Sequence, residues 1–279
     1  MLLTISRYVF ILFLTMCLGC ASLPINKSVK TRIKKNFLCC KCILFIAPEN
    51  INDVTCKDKR FYWSATINKE LKASMPHSFS FASATPLTKD GYYLTAYHCI
   101  DQVRKGEKIW IAVFNSDNPE KLKWDSVKII WEFPNADIAL LHSDIQILHP
   151  RAFSKTGKIL KKGTVVAQCG IRSGCEFGRT TENVLLDQTS ESAVTIRHNA
   201  RSRMGDSGGP LLNDQGELLG IVTEKALPFL DSLGLSSAIA VRPNPETIKR
   251  LIKEDRIQRK TEQNGLCGTA NLPRTLKLK

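Results

Sequence analysis

Gly205-Asp206-Ser207-Gly208-Gly209-Pro210 is the stretch on which the reading of this chain turns. Six specified residues in a row arise by chance at odds on the order of 10⁻⁷ per position. The types belong together chemically. A nucleophilic serine needs a hydroxyl exposed at a tight turn, with backbone N–H groups nearby to receive an oxyanion. Gly205 can take the backbone conformation that turns its N–H toward a substrate. Gly208 and Gly209 let the chain pass close behind Ser207, and Pro210 opens a strand. The competing reading is a glycine-rich turn with an incidental serine.

Upstream lie two further segments that give the serine reading its partners. Leu94-Thr95-Ala96-Tyr97-His98-Cys99 carries a histidine, and Asn135-Ala136-Asp137-Ile138-Ala139-Leu140-Leu141 carries an aspartate. Together with Ser207 they have the residue types of a nucleophile, a general base and the group that orients the base. His77, His142, His149 and His198 have no such context and read as surface or structural.

All three segments resemble the trypsin-like, chymotrypsin-fold serine peptidases. The order His, Asp, Ser is that family's order, unlike those of the subtilisins or the α/β-hydrolases. The resemblance runs from about Ser78 to Val241 and is similar to the bacterial secreted, HtrA-like branch, without a PDZ module. It implies an all-β fold of two six-stranded antiparallel β-barrels followed by a C-terminal helix. It implies a serine endopeptidase in which His98, Asp137 and Ser207 are catalytic and the N–H groups of Gly205 and Ser207 hold the oxyanion. It implies protein or peptide substrates and no cofactor. The alternatives are a catalytically silent binding module on the same fold, or an envelope lipoprotein.

Three departures from the family pattern stand out. Asp206 precedes the serine where the HtrA-like branch usually has Asn. In the trypsin branch this aspartate pairs with a new amino terminus, and no Ile-Val-Gly-Gly start is present, so Asp206 has another cationic partner or activation differs. Cys99 lacks the upstream cysteine of animal trypsins; Ala82, Ser83 and Ala84 stand near that place. The specificity pocket falls, by resemblance, on Arg201, Thr223 and Lys225. If both basic side chains line it, a basic residue before the scissile bond is disfavoured and an acidic one favoured.

The remainder of the sequence supports an exported β-rich protein. Short apolar or alternating runs recur: Phe61–Ile67, Ser78–Ala84, Tyr92–Ala96, Lys108–Phe114, Val127–Trp131, Ile138–Leu141, Thr164–Cys169, Val194–Arg197, Leu218–Thr223 and Ser237–Val241. Asp90-Gly91 and Asp214-Gln215-Gly216 supply hairpin turns. Only Pro245–Arg259 reads as a helix, with Ile248, Leu251 and Ile252 on one face, Ile257 off it and Asn244 before the first turn.

At the amino terminus, Tyr8–Leu18 is apolar but too short to span a bilayer comfortably, and fits the core of a secretory signal. Gly19 and Cys20 resemble a bacterial lipoprotein site, which makes Cys20 a lipidation candidate. The divisions are then a signal over 1–19, a basic linker over 20–36, the peptidase domain over 37–259 and a basic tail over 260–279. Of 279 residues, 43% are hydrophobic and 24% charged, ordinary for a globular protein, whereas the formal charge of +14 is high. The basic runs read first as solvated segments; if they meet an anionic partner, the lack of interleaved aromatics argues against nucleic acid, and the apolar segment ahead of the first run favours a membrane surface. With Cys17 and Cys20 set aside, eight cysteines remain; Cys169 and Cys175 are spaced to close a small loop, and Cys39-x-x-Cys42 has no second metal-ligand pair. The expected location is the periplasm or cell envelope.

Overall fold

Both faces of the central strands are covered, which is why their sequences read as unbroken apolar runs rather than alternating ones. Along Tyr92–Thr95, Tyr92 and Leu94 point into a core shared between two sheets, while Tyr93 points into the interior of its own sheet. Along Ile138–His142 the same split recurs, with Ile138 and Leu140 on one side and Ala139 and Leu141 on the other.

The computed structural model describes residues 25–38, 41–57, 60–67, 70–73, 81–114, 122–155, 159–186, 193–224 and 238–263. Cys17, Cys20, Cys39, His77, Lys225 and the tail beyond 263 lie outside the described residues. The strands are β1 (Cys42–Pro48), β2 (Ile51–Lys57), β3 (Arg60–Ile67), β4 (Glu70–Ala73), β5 (Phe81–Pro86) and β6 (Tyr92–Thr95). Then come β7 (Glu107–Phe114), β8 (Leu122–Ser126), β9 (Lys128–Phe133), β10 (Ile138–His142), β11 (Ile159–Leu160) and β12 (Val165–Gly170). The last six are β13 (Gly174–Arg179), β14 (Val184–Leu185), β15 (Val194–His198), β16 (Pro210–Leu212), β17 (Leu218–Glu224) and β18 (Ala238–Arg242). Helix α1 spans Lys27–Leu38 and α2 spans Pro245–Gln263.

The expected two-sheet, antiparallel architecture is present. Its first sheet has seven strands rather than six, in the order β8-β7-β1-β5-β6-β10-β9; the second has six, in the order β13-β12-β16-β17-β18-β15. The additional strand β8 is the polar Leu-Lys-Trp-Asp-Ser segment, paired to β7 with Trp110 opposite Ser126. Strands β2, β3 and β4 form a separate three-stranded sheet, and β11 pairs with β14.

Helix α2 begins as its sequence predicts: the Asn244 side chain accepts the Glu246 N–H at 2.9 Å, satisfying one of the orphan donors of the first turn. Ile248, Leu251 and Ile252 are buried and Ile257 is exposed. Tyr92 pins the helix to β6, its hydroxyl donating to Asp255 at 2.8 Å and accepting from Arg259 at 2.7 Å. The segment expected to be a basic linker is, from Lys27, helix α1. Its Ile33 is fully buried in the shared core. Burying such a side chain stabilises by about 1.5–3 kcal/mol, enough to hold a short basic helix that would not persist alone.

Candidate active site

Strands β6 and β10 are antiparallel with Thr95 opposite Ala139. Extending that register by two residues in each chain brings Tyr97 opposite Asp137, so His98 and Asp137 meet although 39 residues separate them. His98 sits in a single turn of 3-10 helix over Tyr97–Cys99, and Asp137 follows a similar turn over Pro134–Ala136. Asp137 has φ 53° and ψ 46°, the left-handed conformation that a non-glycine residue rarely adopts. In that conformation its carbonyl accepts the Tyr97 N–H at 3.2 Å. Its carboxylate takes the backbone N–H of His98 at 2.9 Å on Oδ1 and the ring Nδ1–H at 2.7 Å on Oδ2.

The carboxylate therefore holds the imidazole with Nε2 directed away from Asp137. It also raises the His98 pKa well above the ordinary 6.5, because the hydrogen bond to Asp137 favours the imidazolium; a second hydrogen bond, to Cys99, acts the same way and outweighs the opposing effect of partial burial. His98 is 47% exposed and Asp137 28%, so the pair opens to solvent.

Ser207 lies in the turn between β15 and β16, and both sheets hold that turn. From the first sheet, the Ser83 N–H donates to the Ser207 carbonyl at 2.8 Å, the Ser83 hydroxyl to the Gly205 carbonyl at 2.9 Å, and the Thr85 hydroxyl to the Gly208 carbonyl at 2.9 Å. From the second, the Gly208 N–H donates to Val222 at 2.7 Å and the Val222 N–H returns to Gly209 at 2.8 Å. At Gly208, with φ 85°, an added Cβ would run into the Ser83 carbonyl and the Thr95 hydroxyl, so only glycine fits.

Residues 203–206 form a β-turn closed by the Asp206 N–H donating to the Arg203 carbonyl at 2.9 Å. Gly205 at its third position has φ 97°, the positive value that type II geometry demands. Among the described residues, no backbone carbonyl accepts the N–H of Gly205 or of Ser207.

Asp206 is fully buried. Its carboxylate accepts the backbone N–H groups of Arg172 at 3.1 Å, Ser173 at 3.0 Å and Arg203 at 2.8 Å, and the Ser173 hydroxyl in a shorter contact. Of the two alternatives for Asp206, a cationic partner or a different activation, the described residues supply neutral donors in place of a cation. Cys169 and Cys175 form the disulfide that their spacing predicts, closing the hairpin from which two of those N–H groups come.

Of the expected pocket residues, Arg201 is exposed and Thr223 is buried on β17, with Lys225 outside the described residues. His142 and His198 are buried and His149 is exposed. Ser83, Thr85 and Ser173, which hold the Ser207 turn, carried no sequence signal of that role.

Comparison with known proteins agrees with this architecture. A DegP-like protein of Rickettsia prowazekii (strain Madrid E), named a probable periplasmic serine endoprotease, is 27% identical over 203 residues, covering 69% of this chain and 37% of the relative. The periplasmic pH-dependent serine endoprotease DegQ of Escherichia coli (strain K12) is 29% identical over 187 residues, covering 64% of this chain and 37% of its own. The chain thus spans well under half the length of these relatives. Among solved structures, that of Deg5 superposes with a TM-score of 0.55 at 16% identity, covering 82% of this chain and 94% of that one. The HtrA-type protease AlgW with a decapeptide gives 0.54 at 16% identity, covering 81% and 67%. These likenesses establish the fold. The trypsin-like peptidase domain model matches residues 82–221, half of the chain and the half that contains His98, Asp137 and Ser207, and so the protein belongs to the trypsin-like peptidase family.

Proposed function

We propose that this protein is an exported serine endopeptidase in which Ser207 is the nucleophile, His98 the general base and Asp137 the group that orients His98. The observation that carries the reading is the double hold of Asp137 on His98, at 2.9 and 2.7 Å, beside a Ser207 turn tied to the same sheet through Ser83 and Thr85.

With Nδ1–H donated to Asp137, Nε2 is the ring atom left to accept the Ser207 hydroxyl proton as Oγ attacks the substrate carbonyl. The tetrahedral oxyanion is received by the N–H groups of Gly205 and Ser207. The imidazolium then protonates the leaving amine, and the amine departs from an acyl-enzyme. A water activated by the same nitrogen hydrolyses the ester and restores Ser207.

Arg172, Arg201 and Arg203 are all exposed around this turn, and Met204 is 80% exposed beside Gly205. That positive rim supports substrates with an acidic residue before the scissile bond; cleavage of a peptide library mainly after Lys or Arg would refute the preference. The location we propose is the cell envelope outside the cytoplasm, in line with the periplasmic serine endoproteases to which the chain is similar. Lipidation at Cys20 accompanies it; absence of radiolabelled palmitate incorporation in the full chain, or incorporation unchanged in Cys20→Ser, rejects the anchor.

The decisive test uses protein lacking residues 1–20 and a fluorescent fluorophosphonate. Labelling of the unmutated protein, lost in Ser207→Ala and in His98→Ala, establishes an activated serine. A folded sample that never labels, with or without added peptides, identifies a silent binding module.

A further inference from the structure

Building on the peptidase reading, we propose that the hairpin 170–174, closed by the Cys169–Cys175 disulfide, sets the nucleophile turn from within the chain, with Ser173 and Asp206 as positioning residues. The turn then needs no new amino terminus to take its working form.

A buried carboxylate is costly unless hydrogen bonds replace its water. Asp206 has four donors, and three of them, the N–H groups of Arg172 and Ser173 and the Ser173 hydroxyl, belong to this hairpin. The fourth, the Arg203 N–H, comes from the nucleophile turn itself. One carboxylate therefore joins the hairpin to the first residue of the type II turn. The hairpin makes a second connection alongside it. Its Ile171 N–H donates to the Ser83 hydroxyl at 2.9 Å, and that hydroxyl donates to the Gly205 carbonyl. Two successive hairpin N–H groups thus reach the turn that carries Ser207, and a third reaches it through the Ser83 hydroxyl.

The fit is close. A Cβ on Gly170 would stand 2.6 Å from the Asp206 Cγ, so glycine there leaves the space that the carboxylate fills. The Arg172 side chain runs past Gly205 and lays its guanidinium 5.0 Å from the centre of the Phe81 ring. Cys169 and Cys175 stand directly opposite one another on β12 and β13, so their bond fixes both ends of the five-residue connection.

This arrangement selects between two states of residues 203–206. Type I and type II turns share their end residues and differ by a flip of the central peptide, here Met204–Gly205. Only one orientation presents the Gly205 N–H to a substrate oxyanion. The Asp206 contacts to Arg203 and to the hairpin, with the Ser83 hold on the Gly205 carbonyl, favour the type II state that is present.

The test compares wild-type protein, Ser173→Ala and Ser173→Thr, each expressed without any processing protease. Fluorophosphonate labelling rate, peptide kcat and KM, and Tm are measured for each. Ser173→Ala is expected to label and turn over about 10- to 100-fold more slowly, with KM and the pH profile unchanged and Tm lowered only by the loss of one hydrogen bond to a buried carboxylate, the protein remaining folded, and Ser173→Thr is expected to restore both rate and Tm. Wild-type rates in folded Ser173→Ala overturn the proposal. So does a folded, uncleaved wild type that does not label; if limited proteolysis or added peptide then restores labelling, the peptidase reading survives while this inference falls.

Discussion

Asp137 holds His98 at two points, the backbone N–H on Oδ1 and the ring Nδ1–H on Oδ2, from a left-handed backbone conformation. One side chain thereby fixes both the position of the turn and the rotation of the imidazole. The same contact favours the imidazolium, and a general base works from the neutral ring. The acid limb of the kcat/KM profile is therefore expected above 6.5, with activity rising as pH rises through it. Asp137→Asn should lower kcat by about 10³- to 10⁴-fold and move that limb downward. A profile with its limb at or below 6.5 in the unmutated protein would contradict this account.

Ser83 connects three segments. Its hydroxyl donates to Gly205 and accepts from Ile171, while its N–H donates to Ser207. Ser83→Ala leaves a buried carbonyl and a half-buried N–H without that partner, at a cost of about 1–3 kcal/mol. We expect a lower Tm by thermal unfolding and a fall in labelling rate larger than the stability loss explains. Unchanged labelling would show that the Gly205 carbonyl needs no such hold.

Gly208 combines φ 85° with no room for a Cβ, which would run into the Ser83 carbonyl oxygen of the first sheet. Gly208→Ala must adopt a left-handed conformation, at about 1–2 kcal/mol, and also displace the Ser83 carbonyl. Expected is a soluble protein of reduced stability that fails to react with fluorophosphonate. Wild-type reactivity would mean that the turn can relax away from β5.

His198 is fully enclosed in the second sheet, and desolvation lowers its pKa to about 4. Unfolding lets it bind a proton near 6.5. The native state is therefore favoured fully above that value and loses stability as pH falls from 6.5 toward about 4. The loss is on the order of 2–4 kcal/mol, and urea unfolding of His198→Gln should show a flatter dependence across that window. Equal slopes in both proteins would place the titrating group elsewhere.

Much of the fold was written locally. The central strands, the Asp90-Gly91 hairpin and the start of α2 at Asn244 depend on apolar runs, a turn glycine and a cap, all short-range. Helix α1 and strand β8 were not legible. A run with Ile33 as its fully buried anchor reads as a solvated basic segment until there is a core to receive it. Leu-Lys-Trp-Asp-Ser has too little apolar content to declare a strand until β7 offers an edge to pair with.

By itself the sequence determined the chemistry on offer: a histidine, an aspartate and a serine in the family order, each in a local context suited to its part. Their local contexts span only a few residues, so they survive in the linear text. Tertiary structure alone decided how those groups are held. Asp137 reaches His98 because two strands adopt one register, and the Asp206 carboxylate is met by backbone N–H groups because a disulfide-closed hairpin aims them at it. Backbone donors are the same for nearly every residue type, and their direction comes from the folded chain, which is why no reading of side-chain identity could have supplied them.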